Sequence, residues 1–324
     1  MGVAIGIEIG GTKLQAGVGR QDGQVLAVAR QQVDRAGGAA GIRQALPGMI
    51  SQALLLAGLS PDEAVAIGVG FGGPVRAERG VTVISNQVEG WADFPLKRWL
   101  EARYHVPTVV ENDADAAGYA EAAIGAGTGC RRVLYVTIGS GIGGGWIVDG
   151  AIDHGQGLGA MEIGHTWVPY PDTSALAELE RVASGWAIGR RARLALSQGA
   201  SSSMCELAGG EVGEVTAETV YRAAEQGDAL AAHILAGTCD ALAMGLGNAI
   251  NLYHPQRVIL GGGVSLMGPL FWEPLREQTR RYVYGPFAEG YELVPAGLGE
   301  QVVVIGALLL AWQAAGRPLD DTIN

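Results

Sequence analysis

An internal repetition constrains the fold of this chain more than any other feature. A strand, a glycine-rich turn, a second strand and an Asp-Gly turn occur twice in this order. The first turn is Gly10-Gly11-Thr12-Lys13 after the alternating strand at 3–9, and the second is Gly139-Ser140-Gly141 after the strand at 132–138. Their first glycines are 129 positions apart (139 − 10). Such repetition indicates repeated supersecondary structure. It predicts an α/β protein of two halves, each a mixed sheet flanked by helices, which face each other across a cleft.

Hydrophobic periodicity predicts the remaining elements. Strands are expected at 14–19, 24–32, 64–70, 107–111, 144–148 and 257–260, and helices at 42–54, 113–123, 176–196, 216–250 and 302–314. The segment 197–215 is rich in Ser, Gly and Ala, which is typical of a surface loop.

Composition narrows the class of protein. Of the 324 residues, 48% are apolar and 17% charged, as in soluble globular proteins. A net charge of −11 disfavours binding to nucleic acid or to an anionic membrane surface. The longest apolar run, 302–312, is shorter than the roughly 20 residues that span a bilayer. Cys130, Cys205 and Cys239 form no metal or redox motif, so reduced thiols and a cytoplasmic location are expected.

The glycine turns suggest phosphate binding. Residues 139–144 match the dinucleotide fingerprint G-x-G-x-x-G, but that fingerprint requires a helix at its third glycine. Here residues 145–150 continue as a strand into a turn, which argues against a dehydrogenase. A turn that exposes backbone N–H groups can still hold phosphate. The alternative is a tight hairpin, but two equivalent turns, one with Thr12 and Lys13, favour phosphate.

Two polar clusters suggest chemistry on a hydroxylated substrate. Glu111-Asn112-Asp113 ends a strand and opens a helix. Asp113 is therefore either a helix cap or a general base for a substrate hydroxyl. Glu162 and His165 place a hydrogen-bond acceptor and a donor close together, which suits a polyol. A metal site and a merely structural histidine are the alternatives for His165.

Together these residues resemble the ROK family, which is named for repressors, open reading frames and kinases. The family belongs to the sugar-kinase, heat-shock-ATPase and actin superfamily. The resemblance runs almost end to end and rests on the order and spacing of these motifs: 7–13 (IEIGGTK), 70–75 (GFGGPV), 111–114 (ENDA), 138–145 (IGSGIGGG), 162–165 (EIGH), Glu180 with 183–185 (ASG), 251–255 (NLYHP) and 260–264 (LGGGV).

The resemblance implies two actin-like (ribonuclease H-like) domains with a cleft between them. We expect a small N-terminal domain at 1–113, joined by the C-terminal segment 302–324, and a large domain at 114–301. The implied activity is ATP-dependent phosphorylation of a hexose at its 6-hydroxyl, with glucose as the expected sugar and a place in glycolysis. N-acetylmannosamine, N-acetylglucosamine, fructose and other hexoses stay open. A cytoplasmic homodimer that binds hexose, ATP and Mg²⁺ is expected.

The resemblance also implies roles for single residues. Asp113 is expected to take the proton from the 6-hydroxyl. The remaining roles follow the motifs: sugar ligands Asn86, Asn112, Glu162, His165 and Glu180; phosphate-binding residues Gly10, Gly11, Thr12, Lys13, Gly139, Ser140 and Gly141; and adenosine-binding residues Gly261, Gly262 and Gly263. Mg²⁺ is expected to arrive with ATP.

Two departures from the family pattern stand out. Glu8 occupies the position of the usual aspartate, so it either reaches the water shell of the metal or makes a buried hydrogen bond. The segment 166–179 lacks the cysteines of the family's zinc site, so no zinc is expected. Apolar packing by Leu176, Ala177 and Leu179 is expected in its place.

A protein of another class is the remaining alternative: a ROK sugar-binding or regulatory protein without catalysis. The family's regulators carry a DNA-binding segment before the kinase-like core. Because the first strand begins at Val3, we expect no such segment here. Asp113 and both glycine turns favour the kinase.

Overall fold

The computed structural model describes residues 2–85, 87–317 and 319. In these ranges the strands are β1 (Val3–Ile9), β2 (Lys13–Gly19), β3 (Val25–Gln32), β4 (Ala64–Phe71), β5 (Val75–Arg76), β6 (Val81–Thr82), β7 (Thr108–Asn112), β8 (Arg132–Ile138), β9 (Ile142–Val148), β10 (Ala151–Ile152), β11 (Trp167–Pro169), β12 (Leu176–Glu178), β13 (Arg257–Gly261) and β14 (Glu292–Pro295). The helices are α1 (Gly38–Leu56), α2 (Leu96–Tyr104), α3 (Asp113–Ile124), α4 (Leu179–Ala183), α5 (Gly185–Ser197), α6 (Met204–Leu207), α7 (Ala217–Glu225), α8 (Ala229–Tyr253), α9 (Pro269–Tyr282) and α10 (Val302–Ala314).

The contacts divide the chain into two compact units. The first comprises residues 1–135, 145–160 and 297–324, and the second comprises 136–144 and 161–296. The chain passes from one unit to the other within β8 and within β9. The domain boundaries expected from the sequence, 1–113 with 302–324 and 114–301, stay a prediction.

The first unit is built on a five-stranded mixed sheet in the order β3-β2-β1-β4-β7. Strand β1 is antiparallel to β2 and parallel to β4. Ile5 and Ile7 of β1 are fully buried in one core cluster with residues of α1. The opposite face of the sheet packs against α10. Gly6 permits this close approach, because a Cβ there would lie 2.5 Å from the carbonyl oxygen of Val304.

The second five-stranded sheet has the order β10-β9-β8-β13-β14 and is also mixed. In the second unit α8 packs against α4, α7 and α9. By length and composition α8 could cross a membrane, yet 56% of its apolar window is buried inside the protein. That burial is typical of the core helix of a globular domain. The predicted class, α/β with two mixed sheets flanked by helices, is confirmed.

Two long helices predicted from periodicity are wrong in detail. The segment 176–196 begins with strand β12, and its helical part is broken at Ser184, whose side chain accepts a hydrogen bond from the N–H of Ala187. The segment 216–250 is broken between α7 and α8. There Gly227 has a φ of +85° and the side chain of Asp228 caps α8. A capping side chain accepts a hydrogen bond from one of the first N–H groups of a helix, which have no carbonyl partner within that helix. Ser184 and Asp228 therefore each mark the start of a new helix.

Candidate active site

The first glycine turn joins β1 to β2 within the first unit. The N–H of Gly10 donates to the carbonyl oxygen of Lys13 at 3.0 Å and closes the turn. The side chain of Thr12 lies at the exposed tip. The carbonyl oxygen of Gly11 accepts a hydrogen bond from Nε of Arg35 at 3.0 Å. These contacts stabilise the conformation of the turn between β1 and β2.

Glu8 makes the buried hydrogen bond that was one of its two expected roles. Its side chain accepts from Nε2 of Gln15 at 2.5 Å and lies 3.3 Å from Nζ of Lys13. The residue is only 8% exposed, and burial raises the pKa of its carboxyl group. The carboxylate of Glu8 therefore links β1 to β2 and lies within ion-pair distance of the lysine that ends the turn.

The junction of β7 and α3 carries Asn112 and Asp113. Asn112 is the helix cap, since its Oδ1 accepts from the N–H groups of Ala114 at 2.8 Å and Asp115 at 3.2 Å. Its Nδ2 donates to the carbonyl oxygen of Gly73 at 3.1 Å. The alternative interpretation of Asp113 as the cap is wrong, because α3 begins one residue earlier than a cap at Asp113 requires.

Asp113 and the first glycine turn lie on either side of Gly72. The N–H of Gly72 donates to the carbonyl oxygen of Ile9 at 2.8 Å. A Cβ at Gly72 would lie 3.4 Å from Oδ2 of Asp113 and 3.5 Å from Cα of Gly10. The expected base and the expected phosphate turn are therefore neighbours in the first unit.

The second glycine turn, between β8 and β9, belongs to the second unit. The N–H of Gly139 donates to the carbonyl oxygen of Gly141 at 2.9 Å, and β9 begins at the next residue. Oε2 of Glu180 accepts a hydrogen bond from the N–H of Ile142 at 2.9 Å. The side chain of Ser140 is exposed. Glu180, expected as a sugar ligand, thus lies against the turn expected to hold phosphate.

Gly261 ends β13, and Gly262 and Gly263 follow it and approach the same turn. Gly262 has a φ of +82°, and a Cβ there would lie 2.5 Å from the carbonyl oxygen of Ile138. Only glycine fits that backbone and that space. At Gly263 the position of a Cβ is open. The three glycines therefore border the end of β8, where residues 139–141 begin.

Glu162 and His165 belong to a cluster of polar side chains, of which the sequence motif contains only a part. Nε2 of His165 lies 4.0 Å from Glu162, and its Nδ1 lies 3.5 Å from Glu178. Glu178 in turn pairs with Nε of Arg181 at 2.7 Å. Glu178 was not anticipated, although the turn residues Pro171 and Asp172 signal the β11–β12 hairpin that carries it.

The β11–β12 hairpin lies in the segment where the family has its zinc site, and the packing of this hairpin differs in part from the prediction. Leu179 is fully buried, as expected, but Leu176 is 61% exposed, so the prediction that it packs inside is wrong. Leu176 pairs with Pro169 at the loop end of the hairpin, next to the connecting residues 170–175. Among the described residues there is no group of three or more His, Cys, Asp or Glu side chains that could hold a metal ion. The expected absence of zinc stays a prediction.

Met161, directly before Glu162, is a feature that the sequence did not reveal. Its side chain is buried, and its φ of +71° is unusual for a residue that has a Cβ. Left-handed backbone is unfavourable for such a residue and is often found at functional sites. Asn86, the remaining expected sugar ligand, lies outside the described residues.

Comparison with known proteins identifies the family. A sequence model described as the ROK family matches residues 4–314. The chain belongs to the ROK family. The family prediction is therefore confirmed.

Several ROK relatives are similar over almost their whole length. The glucokinase of Thermotoga maritima is 33% identical over 318 residues, covering 96% of this chain and 98% of the relative. The glucokinase of Halalkalibacterium halodurans is 31% identical, with 95% and 94% coverage. Among solved structures, a ROK family glucokinase from Streptomyces griseus, in complex with glucose and AMPPNP, is 32% identical. It has a TM-score of 0.83, with 96% of this chain and all of that chain covered.

Proposed function

We propose that this chain is an ATP-dependent glucokinase, which transfers the γ-phosphoryl group to the 6-hydroxyl of glucose. Relatives more than 30% identical over nearly the whole chain are glucokinases, and one of them binds glucose with an ATP analogue. The predicted class of enzyme, a sugar kinase, is confirmed by these relatives. We choose glucose over other hexoses because these relatives are glucokinases.

The observation that carries the catalytic proposal is the position of Asp113. Its Oδ1 accepts a hydrogen bond from the N–H of Ala114 at 2.9 Å, and its Oδ2 is the side-chain oxygen nearest to Gly72. Asn112 caps α3, so the carboxylate of Asp113 stands at the start of the helix beside Gly72 and Gly10. A carboxylate placed there can accept the proton of a hydroxyl that attacks phosphorus. We assign Asp113 as the general base.

The glycine turns supply the second part of the mechanism. The N–H groups of Gly10 and Gly139 close their own turns. We therefore propose that residues 10–13 and 139–141 bind the ATP phosphates through the N–H groups of their other residues, and that residues 261–263 border the adenosine. At Gly139 and Gly263 a Cβ would meet nothing within 4 Å, so both backbones are open to a ligand. Mg²⁺ supplies neutralisation of phosphate charge when it accompanies ATP.

The sugar ligands complete the proposal. Asn112, Glu162, His165 and Glu180, with Asn86, are assigned to the sugar hydroxyls. Carboxylates and an imidazole provide the acceptors and the donor that vicinal hydroxyls need. We further propose a cytoplasmic homodimer acting in glycolysis.

One assay separates this function from its alternatives. ATP consumption is measured with glucose, mannose, fructose, allose, N-acetylmannosamine and N-acetylglucosamine in parallel. The proposal expects the highest kcat/KM with glucose. A higher kcat/KM with another hexose replaces the substrate but keeps the enzyme class. Sugar binding without turnover of any hexose supports the non-catalytic sugar-binding alternative, for which the engagement of Glu8 by Lys13 and Gln15 is the structural argument.

A further inference from the structure

Glu111 and His154 form a hydrogen-bonded pair, and neither residue has a role in the function proposed above. Glu111 stands in β7 directly before Asn112 and Asp113 and is 6% exposed. Its Oε2 accepts a hydrogen bond from Nε2 of His154, at 2.9 Å. Because an isolated buried carboxylate is costly, the imidazole is what makes this burial tolerable.

His154 also organises the segment 153–160, which contains neither helix nor strand. Its carbonyl oxygen accepts from the N–H groups of Gly157 at 2.7 Å and Gly159 at 3.2 Å. Gly155, Gly157 and Gly159 all have positive φ, so the segment has little stiffness of its own. One residue thus links this segment to β7 by its side chain and folds it by its carbonyl group.

The surroundings of the pair allow protons to exchange. Glu111, His154, Tyr119 and Gln313 border a cavity of about 310 Å³. His154 is faced by the carboxylates of Glu111, Asp115 and Asp153, and the hydrogen bond with Glu111 raises its pKa above the ordinary value of 6.5. The side chain of His154 is 36% exposed, so its proton can exchange with solvent through this cavity.

We propose that His154 is a positioning residue for phosphoryl transfer, which fixes the side chain of Glu111 and holds the segment 153–160 against β7, the strand that ends at Asn112 directly before Asp113. The inference rests on the proposed function. A protonated imidazole binds the carboxylate by charge and hydrogen bond, and a neutral one only by the hydrogen bond. As pH rises through the raised pKa of His154, the hold loosens and turnover of the sugar falls.

The test compares His154→Ala and His154→Gln with the wild type from about pH 6 to about pH 9. His154→Ala is expected to lower kcat/KM for glucose by about 10- to 100-fold, since small misplacements of reacting groups cost rate steeply. KM for ATP is expected to stay within about twofold. His154→Gln keeps an N–H donor, so it is expected to recover most of the activity and to lose the alkaline fall.

His233→Ala is the matched control. His233 makes a hydrogen bond of the same length, 2.9 Å, to Asp172; both side chains are exposed, and neither residue is among the expected site residues. This variant is expected to keep the wild-type activity and pH profile.

Two results would overturn the inference. One is a wild-type pH profile and kcat/KM in His154→Ala. The other is a loss of activity in both His154 variants that matches their loss of folded protein by circular dichroism. Failure of the proposed function is distinct, because the wild type itself would then phosphorylate no hexose.

Discussion

The carboxylate of Glu180 accepts a hydrogen bond from the backbone N–H of Ile142 and fills the space beside Gly141. A Cβ at residue 141 would collide with Oε2 of Glu180. An expected sugar ligand and an expected phosphate turn therefore touch each other within the second unit. Any substitution at Gly141 disturbs both, so that position cannot separate sugar binding from nucleotide binding.

Gly139 offers the sharper test of the phosphate turn. A Cβ at Gly139 would meet nothing within 4 Å, so Gly139→Ala leaves the fold intact while placing a methyl group where phosphate is expected. We expect KM for ATP to rise about tenfold or more, the equivalent of one charge-assisted hydrogen bond. Gly285→Ala is the control, because a Cβ there is equally free of contacts. Unchanged KM for ATP in Gly139→Ala, with native melting, would reject the assignment of this turn.

Met161 allows the strain before Glu162 to be measured. Met161→Ala and Met161→Gly remove the same buried side chain beyond Cβ, but only the glycine is relaxed at a φ of +71°. We expect the glycine variant to be more stable than the alanine variant by about 1 kcal/mol. The free energy of unfolding in urea measures the difference. Equal stability, or a more stable alanine variant, would show that the backbone at Met161 is not strained.

The fold was predictable where its signals are local. Strand β1 alternates in hydrophobicity, β8 is a short and mostly apolar run, and both end at glycine turns, so the start of each half of the molecule follows from a short stretch of sequence. Helix α9 was missed because it contains Pro274, which argues against a helix interior. Its buried Phe271 and Leu275 outweigh that cost by packing, which no local pattern reveals.

The site divides in the same way. Asp113 and the glycine turns belong to contiguous motifs, and these could be identified from the sequence. The contacts of Glu180 with Ile142 and of Glu111 with His154 join residues 38 and 43 positions apart. Such pairs depend on the tertiary fold, and a single sequence holds no signal for them. The strained Met161 is also a product of tertiary structure.

Glu8 predicts a specific dependence of stability on pH. Burial raises the folded-state pKa of Glu8 above its ordinary value of 4.5. At pH values between 4.5 and the raised pKa of Glu8, the folded state binds more protons than the unfolded state. The contribution of Glu8 to the free energy of unfolding therefore falls as the pH rises through this range. Glu8→Gln does not titrate, and its stability relative to the wild type is expected to rise over the same window and then level off. Urea denaturation at a series of pH values measures this. A difference between the two proteins that does not vary with pH would contradict the account of Glu8.

The absence of a zinc site is a further prediction. The segment 166–179 has no cysteine, and Nδ1 of His165 is within 3.5 Å of Glu178. We expect the purified protein to contain no stoichiometric zinc, and its melting temperature to be unchanged by chelators, because no metal is coupled to folding. Elemental analysis gives the direct answer. About one zinc per chain that survives mild chelation would show that other residues provide a site.

Asp113→Asn tests the central claim most directly. The substitution removes the base but leaves Asn112 as the cap of α3, so melting is expected to stay near native, with at most about 1 kcal/mol lost from the charge at the helix start. Asn112→Ala is the contrasting variant, expected to cost about 1 kcal/mol of stability through loss of the cap.

The decisive measurement is kcat for phosphorylation of glucose by Asp113→Asn, with glucose binding measured on the same preparation. Loss of a general base predicts a fall in kcat on the order of 10²–10⁴ with glucose still bound. Near-wild-type turnover in this variant would contradict the assignment of Asp113 as the residue that takes the proton from the 6-hydroxyl.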